Sequence, residues 1–276
     1  MRGRYWTLLA GLAGAVAAAG ASMLVYGALI EANRLVLERR TLRLKGWPAR
    51  LSGYRIAVLG DFHVRDEHSV ALAQRAIALA LGEAPDMVVL TGDLVSYWRP
   101  QTVRALGELL EPLLLMEGAV VAVPGNHDYE HGSPDLLEPI LDELNIKLLR
   151  NESWTHAGIT WVGIDSAKMG QDDAQLAFEG IEGDPNPKIA VWHEPDMVDF
   201  LPEGCVLQIS GHSHGGQFRF PGGYTPMHSD LGRKYPLGFY PDAPTPLYVN
   251  RGIGTTGPPS RFNCAPEVTL LTLEPA

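Results

Sequence analysis

Cysteine is scarce in this chain: among 276 residues there are two, Cys205 and Cys264. Neither belongs to a C-x-x-C pair, which excludes a zinc knuckle and a thioredoxin-like centre. Whether the two pair with each other stays open, and with it the redox compartment. A basic excess is also missing. Lys and Arg number 22 against 32 Asp and Glu, a formal net charge of −10. A general nucleic-acid binder carries a basic face, so no nucleic-acid partner is expected beyond a small nucleotide substrate. A phosphate substrate is not excluded, because bound divalent cations reverse the local sign. There is no internal repeat, and no low-complexity tract outside an Ala/Gly-rich N-terminal stretch. What is present is 46% hydrophobic residues, enough for one sizeable domain and an appendage.

Charge is absent altogether from Trp6 to Ile30. A helix of that length exceeds the roughly 20 residues needed to cross a bilayer. Arg2 and Arg4 precede the run, Glu31, Arg34, Arg39 and Arg40 follow it, and Tyr5, Trp6 and Tyr26 lie near its ends, where aromatic rings favour the interface. Ala19-Gly20-Ala21 could serve as a signal-peptide cleavage site, but the apolar run continues through Met23, Leu24, Val25 and Ile30, longer than a signal core. The reading is a single-pass N-terminal anchor, in a bacterial inner membrane. Counting basic residues favours the main domain inside, but the later arginines could belong to a folded strand, so the side is left undetermined. No twin-arginine pair precedes the span. The expected division is a basic tail over 1–5, the span over 6–30, a linker and lead-in strand over 31–53, and one domain over 54–276.

Beyond residue 53, short apolar runs recur: Arg55–Leu59, Met87–Leu90, Ala119–Val123, Ile159–Ile164, Lys188–Trp192, Val206–Ile209, Leu247–Val249 and Val268–Leu273. Their length and their Gly or Asp endings predict buried strands. Helical periodicity marks Val70–Leu81, with Ser69 available as a cap, and also Thr102–Met116 and Asp135–Leu144, which Pro112 and Pro139 would kink or shorten. Alternation of strand and helix implies an α/β fold with a helix-covered sheet; the strand-rich second half suggests a second sheet. Residues 215–246, rich in Gly, Pro and Tyr, read as a long ordered loop.

Chemistry-bearing residues sit just past the strands. Asp61-Phe62-His63, Gly92-Asp93, Gly125-Asn126-His127-Asp128, His193 and Gly211-His212-Ser213-His214 each follow an apolar run. In open α/β sheets ligands bind outside the carboxyl ends of strands, so five clusters would meet at one crevice. Asp oxygen, Asn carbonyl oxygen and His nitrogen suit Mn, Fe or Zn. Seven candidate ligands are too many for one tetrahedral ion and fit two ions sharing a carboxylate, an arrangement that clamps both oxygens of a displacement at phosphorus. The glycines would let the backbone turn and approach closely.

The ordered set D-x-H, G-D, G-N-H-D, lone H and G-H-x-H resembles the calcineurin-like metallophosphoesterase family over about residues 54–273. The resemblance implies a four-layer α/β/β/α sandwich. It implies that Asp61, His63 and His214 hold one divalent ion, that Asn126, His193 and His212 hold a second, and that Asp93 bridges the two. His127 would then contact substrate and assist the leaving group, with Asp128 orienting His127 or the adjoining loop. Gly211 to Gln217, Tyr235-Pro236-Leu237-Gly238, Tyr248 to Pro259 and Arg261 to Cys264 further resemble a membrane-associated bacterial branch, the YaeI- and YkuE-like phosphodiesterases. After Asp93 the chain reads Leu94-Val95-Ser96, without the Asp-x-Val-x-Arg continuation of protein Ser/Thr phosphatases, which argues against a phosphoprotein substrate.

The expected reaction is hydrolysis of a phosphodiester or pyrophosphate bond by hydroxide generated between two divalent ions, on a membrane or envelope substrate. The alternatives are hydrolysis of UDP-2,3-diacylglucosamine and a non-catalytic metal-binding scaffold; a scaffold usually loses ligands or the catalytic His, and all are present. Arg219, Arg233 and Arg251 are candidate substrate arginines, able to fork onto a second phosphate; the competing reading is surface charge or loop pinning.

Overall fold

The computed structural model describes residues 2–130 and 132–276, with the backbone alone for Arg2 to Tyr5, Thr7 and Leu8. Met1, in the expected basic tail, lies outside the described residues. Helix α1 spans Arg2–Leu29 without a break at residue 6. It is long and apolar enough to cross a membrane, and almost none of it is buried against the domain.

Among the described residues, twelve strands form two six-stranded sheets. The first has the order β1 (Val36–Leu44), β12 (Glu267–Pro275), β2 (Tyr54–Leu59), β3 (Met87–Leu90), β4 (Val120–Ala122), β5 (Lys147–Leu148). The second runs β10 (Gly238–Tyr240), β11 (Leu247–Val249), β9 (Cys205–Ser210), β8 (Lys188–Trp192), β7 (Ile159–Ile164), β6 (Glu152–His156). All eight apolar runs are strands. β5, β6 and β10 carry too few buried residues to show in an apolar pattern. In β1, buried Leu42 and Leu44 alternate with exposed Thr41 and Arg43, and Arg39 and Arg40 before them are exposed. A strand expected as a lead-in within 31–53 is thus β1, paired in parallel along its full length with β12, from Val36↔Glu267 to Leu44↔Pro275.

The sheets stack face to face. Ile56, Val58, Val89 and Leu271 of the first meet Trp161, Ile189, Val191 and Ile209 of the second in a fully buried layer. The outer face of the first sheet is covered by α2 (Glu67–Gly82), α3 (Pro100–Leu110) and α4 (Glu138–Glu143), through Ala73, Ala76, Ile77, Leu106 and Leu141. The outer face of the second is covered by the single-turn α5 (Ala174–Phe178) and loops. The layers are therefore α/β/β/α, as expected. The cap of α2 differs from the expectation: Asp66 is the cap, accepting from Ser69 N at 2.8 Å, while Ser69 Oγ receives the Asp66 amide, a reciprocal pair that starts the helix one turn early. Pro112 ends α3 in a 3-10 turn, and Pro139 sits in the first turn of α4, where no amide donor is needed. Cys205 and Cys264 are free thiols.

Candidate metal centre

β2, β3, β4, β8 and β9 end on one edge of the sandwich, and the turns that follow them carry the polar clusters. These turns are cross-bonded: Asp61 N donates to Gly92 O, His63 N to Asp93 O, and Gly211 N to His193 O. Asp61, His63, Asp93, His212 and His214 all adopt positive φ, between 47° and 67°. Left-handed backbone costs a residue with a Cβ roughly 1–3 kcal/mol when the surroundings impose it, so tertiary packing holds these five in place. Gly125 shows how tightly: a Cβ there would collide with the Asp93 carboxylate.

Two groups of buried side chains result, Asp61–His63–Asp93–His214 and Asp93–His193–His212, each with ligand-capable atoms within 4.8 Å of one another. Within the first, His63 Nε2 lies 3.0 Å from His214 Nε2 and 3.5 Å from Asp93 Oδ2, and His214 Nε2 lies 3.4 Å from Asp61 Oδ1. Within the second, His193 Nε2 lies 3.2 Å from His212 Nδ1 and 3.3 Å from Asp93 Oδ2. Ligand atoms about 2.1 Å from a common ion stand about 3.0–3.4 Å from their neighbours, so the spacing fits. Asp93 belongs to both groups. Its Oδ1 accepts from His127 N at 2.7 Å, while Oδ2 faces His63 on one side and His193 on the other.

The donor chemistry fits as well. His193 Nδ1 is 2.6 Å from Thr91 O and His212 Nε2 is 2.6 Å from Asp230 O, so each donates from that nitrogen and aims its other ring nitrogen inward. Asn126 Oδ1 is buried without a hydrogen-bond partner among the described residues, an orphan that a cation would satisfy. Burial pushes His63 and His212 down to about 3 and His214 well below its ordinary value, which keeps three imidazoles in the neutral, ligating form. Burial alone would raise Asp93, but the charge and hydrogen bond of His193 outweigh it and hold the carboxyl well below the usual range. Asp61 goes the other way, to about 7, through burial and the neighbouring Asp93 charge. With protein groups alone, two carboxylates this close do not share one protonation state. Divalent cations would supply the positive charge that the buried set lacks.

Above the groups lies a cleft of about 410 Å³ whose floor includes Asp93, Asn126, His127, His212 and His214. The profile of the calcineurin-like phosphoesterase family matches residues 54–216. This chain belongs to that family. It is similar to the uncharacterised metallophosphoesterase YkuE of Bacillus subtilis, 29% identical over 260 residues covering 90% of this chain and 89% of that one. It is also similar to phosphodiesterase YaeI of Escherichia coli, 29% identical over 238 residues covering 84% and 86%. A third relative, YpbG of Bacillus subtilis, is 30% identical over 218 residues covering 77% and 80%. The branch is the YaeI- and YkuE-like one, and the chain is a metal-dependent phosphoesterase hydrolase with a candidate binuclear divalent-cation site.

Around this phosphoesterase's cleft, His127 is partly exposed, its ring edge-on to His63 at 4.7 Å between centroids, with Glu130 Oε2 3.1 Å from its Nδ1. Asp128 addresses the adjoining loop and not His127: fully buried, it accepts from the amides of Leu94 (3.0 Å), Val95 (3.2 Å) and Gly125 (2.8 Å), tying the Asp93 turn to the Asn126 turn.

Arg219, Arg233 and Arg251 do not line the cleft. Arg251 is paired with Glu267 and with Glu38 at 3.1 Å, a partner that β1 supplies from 213 residues away. Arg219 donates to Gly215 O, and Arg233 is held through its backbone amide by Asp196. The cleft cation is Lys168 instead. Buried Glu194, next to His193, accepts from Ser166 Oγ and from the amides of Ala167 and Lys168, which presents the Lys168 loop at the rim. Nothing in sequence marked Lys168; the only available signal was the acidic residue immediately after the lone His.

Proposed function

We propose that this chain hydrolyses phosphodiester bonds of membrane-associated substrates at a binuclear centre. Asp61, His63 and His214 would hold one cation, Asn126, His193 and His212 the other, and Asp93 both. The observation that carries this reading is the sharing of one buried carboxylate oxygen between two His/Asp groups at ligand spacing, directly beneath an open cleft. When bound, two divalent cations supply Lewis-acid polarisation of the phosphoryl oxygens and a lowered pKa for bound water.

The protein's own groups do the rest. Asp93 Oδ1, bonded to the His127 amide, fixes the turn on which His127 stands, so its ring projects into the cleft beside the bridging carboxylate. There it can give a proton to the leaving oxygen. Asp128 keeps the two turns in register. Lys168 offers a positive charge at the rim for the ester's remaining oxygen. A pyrophosphate substrate such as UDP-2,3-diacylglucosamine draws less support, because the three arginines that could grip a second phosphate are engaged elsewhere or off the cleft. Membrane association rests on α1, an apolar helix long enough to cross a bilayer, which a short 3-10 turn at Glu31–Asn33 separates from β1.

The test is turnover of bis-p-nitrophenyl phosphate by the full-length chain in detergent, stripped of metal and refilled with Mn²⁺. Restored activity that disappears in Asp93→Ala supports the reading. A folded chain inactive with Mn²⁺, Fe²⁺ and Zn²⁺ in turn would sink it.

A further inference from the structure

Helix α1 is not joined to the domain by a free tether. The loop at residues 257–262 reaches back alongside it: Arg261 N donates to Gly27 O at 3.2 Å, and Ser260 Oγ donates to Leu24 O at 3.1 Å. Gly27 is buried in that contact, and a Cβ there would strike Ser260 Oγ and the Arg261 carbonyl. The same Arg261, fully buried, donates to the carbonyls of Arg251, Gly252, Gly254 and Cys264 and lies 3.4 Å from His214 Nδ1. One residue therefore connects the last turns of the apolar helix to the scaffold of the candidate metal centre.

A row of aromatic rings leaves the helix at the same level. Tyr26 packs edge-on against Phe262 at 6.4 Å between centroids, Phe262 against Phe220 at 5.8 Å, and Phe220 against Tyr224 at 6.3 Å. The row does not sink into the core: Tyr26 is 40% and Tyr224 66% exposed, and Pro221 to Gly223 and Gly257 to Pro259 beside it are exposed as well. From Trp6 to Tyr26 a helix rises about 30 Å, the thickness of a bilayer's hydrocarbon. Tyr26 then falls at the boundary, where amphipathic rings settle. Ser260, bonded at Leu24, stands slightly deeper. The loops bearing the row also build the cleft wall: Gln217 and Thr256 are bonded to each other at 2.8 Å, and both line the cleft together with Pro226 to Ser229.

We propose that Tyr26, Phe262, Phe220 and Tyr224, with the exposed turns beside them, form a bilayer-contacting rim continuous with α1. The rim holds the cleft at the level of lipid headgroups, so that the ester is presented by an amphiphile in the same membrane. This rests on the functional reading above for the hydrolysis, but the surface itself stands on the helix contacts and can be tested without any turnover.

The test uses the full-length chain in phosphatidylcholine vesicles. A nitroxide attached through Tyr224→Cys is compared with the labelled parent, and its collisions with oxygen and with a water-soluble nickel chelate are measured. Oxygen dominating over the chelate is the expected result; the opposite order, that of a water-exposed site, overturns the rim whether or not the chain is an enzyme. Activity provides the second measurement. Tyr224→Asp should keep its rate on bis-p-nitrophenyl phosphate and lose roughly tenfold on the p-nitrophenyl ester of phosphatidic acid carried in the vesicles. Equal effects on both substrates, or a parent that hydrolyses only the soluble one, overturn the presentation of substrate by the membrane. Inactivity on both with an oxygen-accessible label removes the hydrolytic reading and leaves the rim.

Discussion

The cleft has two walls built in opposite ways. The inner wall is the set of strand-end turns, where Asp61, His63, Asp93, Asn126, His193, His212 and His214 are all buried, several in left-handed backbone, with their carboxylates and amides bonded across from one turn to the next. The outer wall is two loops, residues 215–229 and 255–263, joined by a few bonds around Gln217 and edged by exposed Pro, Gly and aromatic residues. Each inner residue is over-determined, whereas the outer loops are anchored at a few buried residues such as Gln217 and Arg261 and expose Pro221 to Tyr224 and Gly257 to Pro259 between them. The inner wall sets the reaction and the outer wall sets what reaches it.

The contrast is broken most severely at Asp93, the one group common to both clusters. Asp93→Ala should remove metal from both positions and lower turnover by about 10³-fold or more, read as metal content per chain beside the rate. A variant that kept two equivalents of Mn²⁺ would refute the shared role. Next comes His127, which sits on the inner turns but points outward. His127→Ala should retain its metal and lose roughly 10²–10⁴-fold in kcat; loss of metal together with rate would make it a ligand instead of a proton donor.

Asp128 probes the rigidity of the inner wall without touching substrate. Asp128→Ala leaves the amides of Leu94, Val95 and Gly125 unpaired in a buried place. At about 1–3 kcal/mol for each unsatisfied group, a loss of several degrees in Tm is expected in the metal-free chain. An unchanged melt would mean that water replaces the carboxylate and that the turns are held by other contacts.

The same contrast explains what could be read from sequence. Metal ligands need particular atom types at strand ends, so Gly125-Asn126-His127-Asp128 and Gly211-His212-Ser213-His214 announce themselves. The sheet interiors do too, because Met87–Leu90 or Lys188–Trp192 is buried on both faces. β1 could be read only as a lead-in strand somewhere in 31–53: exposed Arg39, Arg40 and Arg43 blur its apolar pattern, in which Leu42 and Leu44 are the buried residues, and its place beside β12 depends on a partner more than 220 residues away. The candidate substrate arginines lie off the cleft for a related reason. Nearness in sequence to the metal ligands put Arg251 among the candidates, yet Glu38 and Glu267 neutralise it, and Glu38 arrives only once β1 has paired. Lys168 was invisible because its position depends on Glu194 accepting three bonds from the Ser166–Lys168 loop.

Lys168 is accordingly the mildest test and the one that separates the walls most cleanly. It stands on neither, reaching the rim from the loop after β7, and it lies outside the two clusters. If it attracts the ester before reaction, Lys168→Ala should raise KM for bis-p-nitrophenyl phosphate by roughly 3- to 10-fold with kcat nearly unchanged, the pattern of an interaction equally strong in ground and transition states. The KM effect should also shrink as salt rises, since the charge is exposed and screened. Glu194→Gln asks the same question from behind: it keeps the size of the side chain but weakens its hold on the loop amides, so it should move KM in the same direction and leave metal content alone. A fall in kcat with KM constant in either variant would place Lys168 at the reacting phosphate, inside the chemistry that the inner wall otherwise carries by itself.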